Sequence, residues 1–83
     1  MPREFNAMLR LEREDCVPLK KARNLFPDSP SIWTLRRYVR TGFYCPTLGE
    51  RIYLEAYRGT GGSWYTSRQA VRRFRVRMNG GDE

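Results

Sequence analysis

The chain has 83 residues, with sixteen lysines and arginines against nine aspartates and glutamates, no histidine and two cysteines. That length suits one small domain with a single core and leaves no room for a separate catalytic unit. A net charge of +7, carried almost wholly by arginine, makes a polyanion the expected partner. No apolar run is long enough to span a bilayer, and the apolar faces are committed to a core, which sets a membrane surface aside.

The positive charge is unevenly placed. Residues 1–30 carry six basic and five acidic side chains, whereas residues 31–79 carry ten arginines against Glu50 and Glu55. Cys16 and Cys45, without histidine, do not make a four-ligand zinc site, and reduced thiols are expected. The start Met1-Pro2-Arg3-Glu4 has no secretory pattern, so the cytoplasm is the expected compartment. Asp15, Asp28, Glu50 and Glu55 form no evident catalytic pair, and neither an enzyme nor a cofactor nor a metal is expected.

Residues 1–16 mix charge with Phe5, Met8, Leu9 and Leu11, a pattern that fits either a short helix or a tail across the core. Pro18 can open a helix over 18–26, with Leu19, Ala22, Leu25 and Phe26 inward and Lys20, Lys21 and Arg23 outward. Pro27-Asp28-Ser29-Pro30 then breaks the chain. Ser31 caps a second helix over 31–41, and Gly42 ends it. In that helix Ile32, Leu35, Tyr38 and Val39 form the apolar face, while Arg36, Arg37 and Arg40 lie on the other side. Phe43 to Gly49 reads as a loop, and 51–58 alternates as a strand with Ile52, Leu54 and Ala56 inward. Gly59-Thr60-Gly61-Gly62 supplies a turn and 63–66 the return strand; without a following lysine that turn is no phosphate-cradling loop. Trp33, beside the start of the second helix, either packs under this hairpin, the favoured expectation, or lies near the sugar-phosphate edge. Thr66 with Gln69, or else Ser67, caps a last helix, whose inward face is Ala70, Val71, Phe74 and Met78. Arg68, Arg72, Arg73, Arg75 and Arg77 crowd its remaining surface, and 79–83 is expected to fray.

This order of elements, with the string Thr34-Leu35-Arg36-Arg37-Tyr38-Val39-Arg40-Thr41-Gly42, resembles the small winged helix-turn-helix domains of the MerR and phage excisionase type. The ending, Leu54-Glu55-Ala56-Tyr57 and then Gly61-Gly62-Ser63-Trp64-Tyr65-Thr66-Ser67-Arg68-Gln69-Ala70-Val71-Arg72-Arg73-Phe74, is similar to that of short excisionase-like bacterial proteins. The resemblance covers 17–78 and implies a mainly α fold with a two-stranded β hairpin, a winged helix-turn-helix. It makes 31–41 the recognition helix and 59–62 the wing tip. By that match Ser31, Thr34, Arg36, Arg37 and Arg40 become groove or phosphate contacts, and Arg58, Thr60 and Ser63 become wing contacts. Phosphate contacts from Arg68, Arg72, Arg73, Lys20 and Lys21 would position the domain. MerR regulators continue into a dimerisation helix and an effector domain. The chain ends at Glu83, so the expectation shifts to an excisionase, that is a recombination directionality factor, or a small transcriptional regulator. The segment Phe43 to Glu50 is longer than a tight link to a wing needs.

The expected partner is double-stranded DNA, together with further copies on adjacent sites and a site-specific recombinase. The competing expectation is a basic protein-interaction module that docks on an acidic partner in a recombination or transcription complex.

Overall fold

A computed structural model describes residues 8–59 and 61–80. Within them residues 8–11 are helical (α1), followed by β1 (Cys16–Pro18), α2 (Leu19–Ala22), a 3-10 turn (Arg23–Leu25) and α3 (Ile32–Arg40). Then come β2 (Phe43–Cys45), β3 (Glu50–Ile52), β4 (Tyr57–Arg58), β5 (Trp64–Ser67) and α4 (Arg68–Met78).

The fold is therefore α+β, with four helices and two antiparallel sheets among the described residues. This corrects the expectation of a mainly α winged helix-turn-helix with one two-stranded hairpin. Three local departures account for the difference. First, Cys16–Pro18 pairs with β5, in register Cys16 to Ser67 and Pro18 to Tyr65, which makes a three-stranded sheet of order β1-β5-β4. Pro18 is tolerated because β1 is an edge strand, where a missing donor breaks no ladder. Second, the segment expected to be a loop is a separate hairpin, with Phe43 opposite Ile52 and Cys45 opposite Glu50. Third, the helix expected over 18–26 has only one α turn. It tightens to 3-10 after Ala22, and Phe26 is already extended (φ −100°, ψ 140°), as the residue before Pro27 must be.

α3 forms where its caps dictate. The Ser31 hydroxyl accepts from the Thr34 amide at 3.3 Å, and Gly42 turns the chain with φ +82°. Leu35 and Val39 are buried with Leu19, Ala22 and Phe26 of the preceding segment. Ile52, Leu54, Ala56, Val71 and Phe74 complete the same core. At α4 the cap is Ser67, whose Oγ accepts from the Ala70 amide at 2.8 Å. Thr66 instead is buried and donates its hydroxyl to the Glu55 carbonyl at 2.7 Å. Gln69, expected to complete a capping box, accepts from the Asp15 amide at 3.1 Å.

The N-terminal segment belongs to the body. Leu11 is fully buried and clusters with Ala70. The β2–β3 hairpin bridges the C-terminal ends of α3 and α4: Arg51 Nη1 donates to the Thr41 carbonyl at 3.2 Å, and the buried Cys45 thiol donates to the Arg77 carbonyl at 3.4 Å. The expectations for residues 1–7, Thr60 and 81–83 lie outside the described residues.

Candidate nucleic-acid interface

The exposed side of α3 is built by its register. Ile32, Leu35, Tyr38 and Val39 face the core, so Trp33, Arg36, Arg37 and Arg40 project outward at helical spacing. The tip of the β4–β5 hairpin comes up beside them. Trp33, Arg36, Arg37 and Arg40 line one groove of about 450 Å³ together with Arg58, Gly62 and Trp64. Gly62 adopts φ +83° there, a conformation that keeps the tip tight without a Cβ.

Two arginines in this groove are braced by indoles. The Arg36 guanidinium carbon lies 5.5 Å from the Trp33 ring centre, and that of Arg58 lies 5.2 Å from Trp64. Cation-π contact at this range orients a guanidinium without neutralising it. Trp33 itself is 74% exposed, so the expectation that it packs under the hairpin is corrected. Its place at the outer arc of α3 leaves no core surface within reach.

Neighbouring grooves extend the same face. One is lined by Lys20, Arg23, Arg36 and Ser63 among others, and another by Thr34, Arg37, Tyr44 and Arg51. Among the described residues no acidic side chain lines any of the three. Three of the acids are held elsewhere. Arg73 takes Glu14 through Nη1 at 2.6 Å and Nη2 at 3.1 Å, and Glu55 through Nε at 3.0 Å and Nη2 at 2.8 Å. Arg10 holds the other Glu55 oxygen at 2.9 Å, and Arg77 pairs with Glu50. Hydrogen bonding from Arg73, reinforced by Ser67, keeps the Glu14 carboxyl below its ordinary value of 4.5 against the opposing effect of burial. The same bonds, first to Glu14 and then to Glu55, raise the pKa of Arg73.

The residues expected from sequence divide accordingly. Thr34, Arg36, Arg37, Arg40, Arg58, Ser63 and Lys20 fall on the shared face. Ser31 is occupied as the cap of α3. Lys21 is exposed but lines none of these grooves. Arg68 and Arg72, on α4, line none of them either, and Arg72 borders a separate hollow with Arg73, Val76 and Arg77. Arg73, expected on phosphate, is instead the centre of the acidic cluster. Sequence reasoning missed Arg23, Tyr44 and Arg51 as members of this face. For Arg51 a signal existed, since strand alternation already set it on the outward side.

No described helix is long and apolar enough to cross a membrane. Among the described residues no group of three or more histidine, cysteine, aspartate or glutamate side chains could hold a metal ion. Compared with protein-family models, curated proteins and solved structures, the chain matches none.

Proposed function

We propose that this chain binds double-stranded DNA with a sequence preference, laying α3 in the major groove and the β4–β5 tip along the adjacent backbone. One observation carries the reading: three arginines of α3 and Arg58 of a hairpin far along the chain line a single groove without an acid among the described residues. An α-helix is about 10–12 Å across and the major groove about 12 Å wide, so α3 fits by shape. Arg36, Arg37 and Thr34 meet base edges, where a guanidinium can fork onto guanine O6 and N7. Arg40, Arg58, Lys20 and Ser63 meet phosphates. Arg68 and Arg72 add to the positive field from α4.

Nine residues make α3 about 13.5 Å long, roughly four base pairs of groove. Such a footprint gains useful specificity from copies on adjacent sites or from a protein partner. An excisionase-type recombination directionality factor acting beside a site-specific recombinase, or a small transcriptional regulator, is the use we propose for it. DNase footprinting around the gene separates these, because clustered repeats at an attachment site mark excision and an operator across a promoter marks regulation.

The test of the binding mode is affinity for a selected duplex and its scrambled counterpart. Arg36→Ala and Arg37→Ala are expected to reduce the difference between the two, whereas Arg72→Ala is expected to weaken both evenly. Equal losses on both duplexes from every substitution would remove the base-reading role from α3.

A further inference from the structure

We propose that α3 is a crest between two troughs that take the two strands of one duplex, and that Tyr44 and Arg51 of the β2–β3 hairpin hold the strand opposite the one held by Arg58. This rests on the duplex reading above and assigns two residues and a second hairpin to it.

The geometry comes from the helical register. At 100° per residue, Arg36 and Arg40 lie on one flank of the exposed arc of α3, Thr34 on the other, and Arg37 and Thr41 between them. Arg37 and Thr41 accordingly line both troughs. Arg58 and Trp64 wall the first trough, and Tyr44 and Arg51 wall the second. A helix seated in a major groove that is about its own width has one sugar-phosphate chain along each side. Each trough therefore receives one strand.

The second wall is preformed. Tyr44 and Arg51 are directly opposed across the ribbon, which puts both side chains on the same face. Tyr44 is 54% exposed, so its ring and hydroxyl are open to a ligand. Arg51 spends one of its five donors on the Thr41 carbonyl at 3.2 Å, which holds the guanidinium beside the crest and leaves the others for an anion. The acid on the same strand, Glu50, is drawn away by Arg77. Charge on both walls, with no described acid on either, is what two phosphate chains require, and a single-stranded ligand would need only one wall.

The experiment uses the full chain and a duplex selected from a randomised pool. Phosphate ethylation interference is mapped on each strand for the unmodified protein, Arg51→Gln, Arg58→Gln and Tyr44→Phe. An unchanged unfolding midpoint verifies that the hairpin survives the loss of the Arg51–Thr41 bond. We expect interference on both strands of the unmodified complex. Arg51→Gln should weaken it at the nearest phosphates of one strand and Arg58→Gln at those of the other, each lowering the slope of log affinity against log salt by about one. Tyr44→Phe should cost about fivefold in affinity and act on the Arg51 strand. If Arg51→Gln misfolds, Tyr44→Phe on the exposed face decides alone. Loss on the same strand from Arg51→Gln and Arg58→Gln, or one-strand interference in the unmodified complex, overturns the two-trough arrangement while leaving DNA binding intact. Recovery of no duplex at all overturns the parent reading and this one with it.

Discussion

Replacing Arg73 with methionine removes the charge and donors that bind Glu14 and Glu55 while keeping an apolar stem of similar length. The pairs are neither surface nor core: side-chain exposure is 37% for Arg73, 16% for Glu14 and 25% for Glu55. Exposed pairs contribute at most about 1 kcal/mol, and breaking a buried one costs about 3–5 kcal/mol. With the outer edge of Arg73 screened by water, we expect a loss of about 2 kcal/mol. For a domain of this size that is a large part of a total near 4–12 kcal/mol, and it lowers the melting temperature by about 8–16 °C. The sign of the pH dependence is set by Glu14. Its folded pKa is depressed, so the stabilisation is fully present above the ordinary value of 4.5 and is lost as pH falls through the folded value. Urea unfolding followed by circular dichroism should therefore separate the unmodified protein from Arg73→Met at about pH 7 and bring them together in acid. A difference below about 0.5 kcal/mol at neutral pH, or one that persists unchanged in acid, would refute the reasoning.

A Cβ on Gly42 would stand 2.6 Å from the Ile52 carbonyl oxygen at φ +82°, so Gly42→Ala should cost about 2 kcal/mol or more in thermal unfolding. Ser67→Ala loses both the α4 cap and a 2.8 Å donor to Glu14, and equilibrium unfolding should register about 1–2 kcal/mol. Because Trp33 and Trp64 both line the groove, added duplex should quench tryptophan emission, and Trp33→Phe with Trp64 retained should reduce that change. Absence of any quench in the unmodified protein would place the duplex away from this groove.

How far the sequence foretold this molecule varied with the range of the forces involved. α3 was legible because its cap, its apolar spacing and its terminal glycine all lie within Ser31 to Gly42. Ser67 was legible as one of two adjacent caps; the choice fell to it once Thr66 was buried against the Glu55 carbonyl. β1 was not legible. Cys16, Val17 and Pro18 have no strand signature, and their partner lies about fifty residues on. The β2–β3 hairpin hid behind Pro46 and Gly49, which mark its turn and made the whole segment look like a loop. Along α4 the arginines read as an unopposed basic face, because nothing local announces that Glu14 and Glu55 converge on Arg73. For the interface, the helix face was readable from periodicity, whereas the neighbours that turn it into a groove came only with tertiary structure.

β1 joins the sheet only through β5, and Asp15 is held by the Arg68 amide and the Gln69 side chain. Cys16 to Pro18 and the Asp15 backbone thus lack these partners until the last strand and helix have been synthesised. On the ribosome, β1 must therefore wait unpaired until β5 clears the exit tunnel, and only then can the three-stranded sheet close. Stalling translation just before Arg68 should leave a protease-sensitive chain, and releasing it a few codons after Met78 a resistant one.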